Sequence, residues 1–302
     1  MTRLAPFASL ALLVAMAIVL VQNRGLVPLA ILLALAALVA ARQRFGAVAR
    51  AAVAGPAAAA LALAGWAILS AAWAIGAREA LAGGLRLAAM VLVLGVILAT
   101  VPEAPEARRR LGRAVLAAGG LALLRPALVR RALPAGLALV VLAGPPVLGE
   151  AAAAAARAGL LPLSAVHRLL IWDHAAERAA ERPLLGFGMD AARSLPGGAD
   201  RPDAARLDRL GIEGEIRAFF ATGPAHAVHL LPLHTHSMPL QVRLELGLVG
   251  LALFAVFAYR CGRAVAALPS GAAFAAGTAA ATAASGVGLL SYGVWQHWWW
   301  VA

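Results

Sequence analysis

The chain has 302 residues, 63% of them hydrophobic and 13% charged, and carries a net charge of +12. Soluble domains run closer to half apolar and a quarter charged, so this balance excludes an ordinary soluble protein and points to the membrane class. The basic residues are all arginine, many in short clusters between apolar blocks; that is the pattern of topology signals and contacts to anionic lipid or phosphate, not of a nucleic-acid groove.

In chain order, the apolar run from Leu4 to Val21 shows no obvious small-residue cleavage site and another apolar block follows at once. It reads as a first span and not as a removed signal peptide. Further candidate spans are 26–41, 51–73, 81–100, 133–149, 238–259 and 264–290, each near the length that crosses about 30 Å of hydrocarbon. Arg42, Arg44 and Arg50 follow the second block, and Arg108, Arg109, Arg110 and Arg113 the fourth. Arg125, Arg130 and Arg131 precede the fifth, while Arg260 and Arg263 follow the sixth. Placing these in the cytoplasm requires the N-terminus inside. Residues 114–124 are too short to span and are expected to be re-entrant or interfacial.

The expected fold class is therefore all-α: a polytopic transmembrane helix bundle with one large, partly helical extracytoplasmic loop. Residues 1–149 form the N-terminal transmembrane helices (about five spans). Residues 150–236 form a periplasmic catalytic loop, and 237–302 the C-terminal transmembrane helices. In a Gram-negative host the chain is a multi-pass protein of the bacterial inner membrane.

Within the loop, 151–182 is alanine-rich and helix-compatible, broken at Gly159 and Pro162, with a stop at Pro183. Leu184-Leu-Gly186-Phe-Gly188 reads as a turn that approaches another surface closely. Residues 194–214, rich in Pro, Gly, Asp and Arg, read as a mobile segment. Cys261, the single cysteine, lies in what reads as a charged turn between two spans; one cysteine excludes an intramolecular disulfide. Trp295 and Trp298–Trp300 suit a bilayer interface, or alternatively an aromatic platform for a sugar or lipid.

Six of the seven histidines lie in the loop: His167, His174, His226, His229, His234 and His236. Histidine is the side chain best suited to take a proton near neutral pH. The spacing His-x2-His-x4-His-x-His raises a metal reading, but no cysteine or carboxylate lies between His226 and Ser237. Solvated surface histidines are the other alternative. Arg168, Arg193, Arg201, Arg206, Arg209 and Arg217 are candidates for clamping a phosphate with paired hydrogen bonds, or for salt bridges to Asp173, Glu177 and Glu181.

Three stretches together carry a resemblance. Arg168-Leu-Leu-Ile-Trp172, then Arg182-Pro-Leu-Leu-Gly186-Phe-Gly188, then His234-Thr-His236-Ser-Met-Pro-Leu-Gln-Val-Arg-Leu-Glu245-Leu-Gly247 resemble the O-antigen ligase family, as does the closing Trp295-Gln-His-Trp-Trp299. The loop pattern is shared with polysaccharide polymerases and protein O-oligosaccharyltransferases. The resemblance covers roughly 165–300, with Ser237 where the family has Asn and a shortened stretch around 114–149.

The resemblance implies a metal-independent glycosyltransferase without a cofactor. Its donor is a glycan on undecaprenyl diphosphate; its acceptor is a hydroxyl on the lipid A core, on a growing polymer or on a protein. Membrane lipids are its other partners, and nucleic acid is not one. The family histidine maps to His236 with His234 as neighbour, and the family arginine to Arg168. Arg217 is the candidate second arginine, and Trp172, Gly186, Gly188 and Glu245 complete the expected substrate-binding set. The chemistry agrees: a lipid diphosphate leaves as a stable anion, so the reaction needs positive charge at the leaving group and a base at the attacking hydroxyl. A transporter of lipid-linked glycans is the competing reading from another class, and a non-catalytic relative is a third.

Overall fold

The computed structural model describes residues 45–100, 125–269, 271–290, 293 and 295. The expected spans 4–21 and 26–41, the short segment 114–124 and Trp298–Trp300 lie outside the described residues. Among those described, the secondary structure is helical throughout. The helices are α1 (Phe45–Ala52), α2 (Pro56–Leu69), α3 (Ala77–Thr100), α4 (Pro126–Arg157), α5 (Leu163–Glu181), α6 (Ala204–Leu210), α7 (Gly214–Thr222), α8 (Met238–Ala266) and α9 (Ala272–Leu290). Three are long and apolar enough to cross a membrane: α4, α8 and 273–290 of α9; the stretch Pro56–Ala72 is a shorter apolar helix. This is a membrane protein.

α4 and α8 run antiparallel and share the largest helix–helix contact. At one end, the backbone of Gly262 sits so close to Pro134 that an added Cβ would lie 2.6 Å from its Cα. There Arg130 donates to the Ala266 carbonyl at the C-terminus of α8, with its guanidinium 4.0 Å from the centre of the Phe274 ring. α9 returns along α8, bringing Gly288 beside Met238. Small residues at such crossings let backbones approach without side chains between them.

Two boundaries differ from the expected ones. The helix through 133–149 does not end at the loop: α4 is 32 residues long, about 48 Å at 1.5 Å per residue. It therefore projects past a hydrocarbon layer of about 30 Å. Pro134, Pro145 and Pro146 sit inside it; in a membrane helix neighbouring groups compensate for the N–H groups that proline lacks. In the C-terminal part, Arg260–Arg263 is not a turn. α8 continues through it to Ala266, because Gly262 serves close packing against Pro134, and the turn comes at Pro269 and Gly271 (φ 92°).

The projecting end of α4 explains how the loop holds its own core. Ala153 and Ala156 pack with Val166, Leu169, Leu170, Leu207, Leu210 and Phe220. α5 is the spine: its other face, through Ile171, Ala175 and Ala179, packs on Phe187, Leu195, Leu231, Leu240 and Leu244. Residues 194–214, expected to be mobile, are folded. The Asp203 side chain accepts from the Arg206 N–H at 2.7 Å and caps α6. Arg206 itself is buried, donating to Asp173 at 2.8 Å and to Glu177. Arg206→Ala would leave the partly buried Asp173 to Arg209 alone and is expected to destabilise the protein by about 1–2 kcal/mol, measured as a lower thermal midpoint in detergent.

Candidate functional site

The site is assembled where α8 is broken. Gly247 has φ 65° and ψ −164°, outside helical geometry. In an unbroken helix the Leu248 and Val249 N–H groups would reach the Leu244 and Glu245 carbonyls. Here they donate instead to the carbonyls of Pro183 (2.8 Å) and Leu184 (3.4 Å). The two released carbonyls accept from Phe187 (3.1 Å) and Gly188 (2.7 Å), and the Leu246 carbonyl from the Trp66 indole at 3.0 Å. The 183–188 turn thus takes over the hydrogen bonds of a broken helix. Buried in protein, such a break is tolerated in a segment that spans a membrane.

The expected close approach of the Leu184–Gly188 turn is therefore to α8. A Cβ on Gly186 (φ 67°) would fall 2.5 Å from the Glu245 carbonyl group, and one on Gly188 would strike Ala74. The same turn is held from the N-terminal side: the Trp73 indole donates to the Leu185 carbonyl at 3.0 Å and the Ser70 hydroxyl accepts from Met189 N–H at 2.9 Å.

Glu245, two residues before Gly247, is fully buried. Its Oε2 accepts from the Asp190 N–H (2.7 Å) and from the Trp295 indole. Its Oε1 accepts from the Ala192 N–H (3.2 Å) and from Gln241 (3.0 Å). Glu245 is thus the point where α8, the 188–192 turn and Trp295 meet. The Trp295 indole N–H goes to the buried Glu245 carboxylate. Asp190 is held in the left-handed region (φ 60°), and its side chain accepts from Arg193 Nε at 2.9 Å.

Above this node lies the histidine turn. The Trp172 indole on α5 donates to the Thr235 carbonyl at 2.9 Å. The buried Thr235 hydroxyl donates to the Ser237 carbonyl (2.7 Å) and accepts from the Ser237 N–H (3.3 Å). The turn this closes puts His236 at φ 55°, a left-handed conformation uncommon outside glycine. Such strain persists only where surrounding contacts impose it.

The His236 N–H donates to His234 Nδ1 at 3.2 Å, and the two rings lie 4.2 Å apart, edge to face. His234 therefore carries no proton on Nδ1. Burial, then the charges of His236 and Arg193, push its pKa down to about 4. Arg193 is held on the Asp190 turn by its bond to the Asp190 carboxylate, and its charge bears on His234. His174 is also lowered, first by burial and then by Arg206 and Arg178.

These shifts have a definite sign. Above pH 6.5 both residues are neutral folded or unfolded; below it the unfolded chain takes up protons that the folded chain resists. Stability is expected to fall from about pH 6.5 down to about 4, and a pH series of thermal midpoints for His234→Asn should show a shallower slope than wild type.

Arg168, one turn before Trp172, is half-buried and donates to the Leu290 carbonyl at the end of α9 (3.1 Å). Three residues on, Gly293 packs against His234 and Gln241, an added Cβ falling 3.0 Å from each. Arg168 and the histidine turn are thus tied through Trp172. Arg217 is elsewhere in its contacts: it pairs with Asp208 at 2.5 Å and reaches the Ile212 carbonyl. His167 binds the His229 carbonyl at 2.9 Å and packs on Phe220 in the loop core. Among the described residues no three His, Cys, Asp or Glu side chains group to hold a metal ion.

Sequence reasoning did not single out Asp190, Gln241 or the placement of Arg193. A signal for Asp190 exists, since an aspartate two residues after Gly188 tolerates a left-handed turn.

Over 136 residues, 45% of its length, the chain is 32% identical to a protein named "Putative polysaccharide ligase" from Rickettsia conorii. It is 33% identical over the same length to one of that name from Rickettsia prowazekii, and 31% to one from Rickettsia typhi. The chain is similar to polysaccharide ligases. The matched stretch spans 29% of the length of each of these relatives. No protein-family model matches, and no solved structure does.

Proposed function

We propose that the chain is a membrane glycosyltransferase of glycan assembly, transferring a glycan from undecaprenyl diphosphate to an acceptor hydroxyl as in O-antigen ligation to the lipid A core. The observation that carries this reading is the histidine turn: His236 is strained into a left-handed conformation by Thr235 and Trp172, one helical turn from Arg168. The similarity to the rickettsial proteins supports a glycan substrate.

In this reading the acceptor oxygen attacks the anomeric carbon and His236 takes its proton at an imidazole nitrogen. The bond from that carbon to the diphosphate oxygen breaks, and undecaprenyl diphosphate leaves as an anion. Positive charge aimed at that anion supplies the stabilisation. Arg168 is the first cation, and Arg193, whose charge bears on His234, takes the part expected of Arg217. His234, kept neutral, accepts the His236 N–H and fixes the turn. Glu245 sets the Asp190–Arg193 segment beneath it, with Trp172, Gly186 and Gly188 as the frame. The site operates without a cofactor on the periplasmic face of the inner membrane.

Complementation of a ligase-deficient bacterium tests this. Wild type should restore glycan-capped lipopolysaccharide on a gel, and Arg168→Gln should reduce it about tenfold or more. If wild type restores none there, nor polymer or glycoprotein in strains lacking a polymerase or a protein glycosyltransferase, the reading is wrong.

A further inference from the structure

The 183–188 turn leaves its two leucines uncovered. Leu184 is 62% exposed and Leu185 44%, although Gly186, Phe187 and Gly188 beside them are buried. A lone exposed leucine needs no explanation, but a run of them on neighbouring segments marks a surface that meets something apolar. The Pro183 and Leu184 carbonyls accept from Leu248 and Val249 of α8, and both of those residues are exposed. From the N-terminal side, Trp73 donates to the Leu185 carbonyl and the Ile75 N–H to the Phe187 carbonyl at 3.2 Å. Ile75 is exposed, as is Leu69 at the end of α2. The bare apolar residues thus lie on three backbone segments bonded to one another.

α8 gives the depth of that surface. Its 29 residues make roughly 43 Å of helix, more than the hydrocarbon layer of about 30 Å. Gln241, Arg243 and Glu245 all precede the break at Gly247, and no charged residue occurs from Gly247 to Tyr259. From Gly247 to Ala266 the helix rises roughly 29 Å, so the part beyond the break suffices to cross the hydrocarbon. Leu248 and Val249 then face lipid at its edge on the histidine-turn side, and the turn bonded to them stands at the same level. Trp73 is half-buried there, and the exposed Arg182 and Arg78 follow within a few residues. Tryptophan and long basic side chains are the residues that suit the headgroup level.

We infer that the 183–188 turn is seated in the bilayer leaflet on the histidine-turn side, with Leu184 and Leu185 among acyl chains and Arg182 at the headgroups. What covers the two leucines is the bilayer itself, continuous with the lipid-facing surface of α8. Residues 150–236 therefore do not stand wholly outside the membrane. The inference does not rest on the glycan-transfer reading. The same turn carries Phe187 and Gly188, which hold the Leu244 and Glu245 carbonyls, and it leads into Asp190, bonded to the Glu245 carboxylate. Lipid contact and the floor of the candidate site are one piece of chain.

The test is spin-label accessibility in the full chain, reconstituted in phosphatidylcholine vesicles with Cys261→Ala as background. Leu185→Cys, Val249→Cys and Leu160→Cys each carry a nitroxide in turn. Dissolved oxygen concentrates in hydrocarbon, and a nickel chelate stays in water. The label at position 185 should collide more often with oxygen than with the chelate, as should the label at 249 on the spanning helix. The label at 160 should show the reverse order, although Leu160 is equally apolar and 74% exposed, because it lies past the projecting end of α4. Collisions with the chelate prevailing at 185 would overturn the inference. So would protection from both probes, which would mean that protein covers the leucines. Should Leu185→Cys fail to fold, Leu184→Cys carries the same measurement with the same outcomes.

Discussion

Gly186→Ala is expected to destabilise the protein by about 3–5 kcal/mol, adding the left-handed penalty of an L residue to the loss of exchanged backbone hydrogen bonds. The new methyl would sit 2.5 Å from the Glu245 carbonyl carbon and oxygen and 2.7 Å from the Gly247 nitrogen. All three are backbone atoms, so no rotamer change relieves the clash and the 183–188 turn must lift off α8. That uncovers the Leu244 and Glu245 carbonyls together with the Leu248 and Val249 N–H groups, inside a segment with no water to replace the partners. Against a total stability of typically 5–15 kcal/mol, such a loss should lower the yield of folded protein sharply. Gly159→Ala is the control: Gly159 also has a positive φ of 67°, but its added Cβ meets nothing within 4 Å. It should cost only about 1–2 kcal/mol. Comparable thermal midpoints for the two variants would show that the turn does not brace the helix.

This brace was half legible in the sequence. The Gly-x-Gly of 186–188 after Pro183 announced a close approach, because only a residue without Cβ serves there. What it approached could not be read, since Gly247 lies inside a long apolar run and an isolated glycine there looks like a packing residue. The break is visible only once partners far along the chain, Pro183 and Leu184, replace the local ones. Helix ends were misjudged for a related reason: Gly262 resembles a turn glycine, yet it is used to lay α8 on Pro134, and alanine-rich 151–157 continues α4 with no stop signal. The folding of 194–214 depended on the buried Arg206 pair, and composition alone cannot distinguish a clamped arginine from a solvated one.

For the site, residue types and their order were legible, and their contacts were not. His236 and Arg168 were singled out by the family resemblance, not by composition or spacing, and the Trp172–Thr235 hydrogen bond links the two segments that carry them. Arg217 and Arg193 look alike in sequence; only their partners, Asp208 for one and Asp190 for the other, separate them.

The second large effect concerns His236. Losing a positioned general base slows a reaction by about 10²–10⁴-fold, and His236→Asn should do so without unfolding the protein. Asparagine tolerates the left-handed conformation that His236 holds at φ 55°, so the turn should survive with its thermal midpoint nearly unchanged. His236→Ala confounds the two effects, since alanine in that conformation adds strain of its own. The comparison of Asn with Ala separates chemistry from backbone.

The most direct measurement is therefore transfer of glycan from undecaprenyl diphosphate to an acceptor by the full chain in proteoliposomes, wild type beside His236→Asn. The expected result is acceptor-dependent release of undecaprenyl diphosphate by wild type and a loss of about 10²-fold or more in the variant, with both proteins equally folded. Undiminished transfer by a folded His236→Asn protein would contradict the assignment of the histidine turn as the place where the acceptor loses its proton.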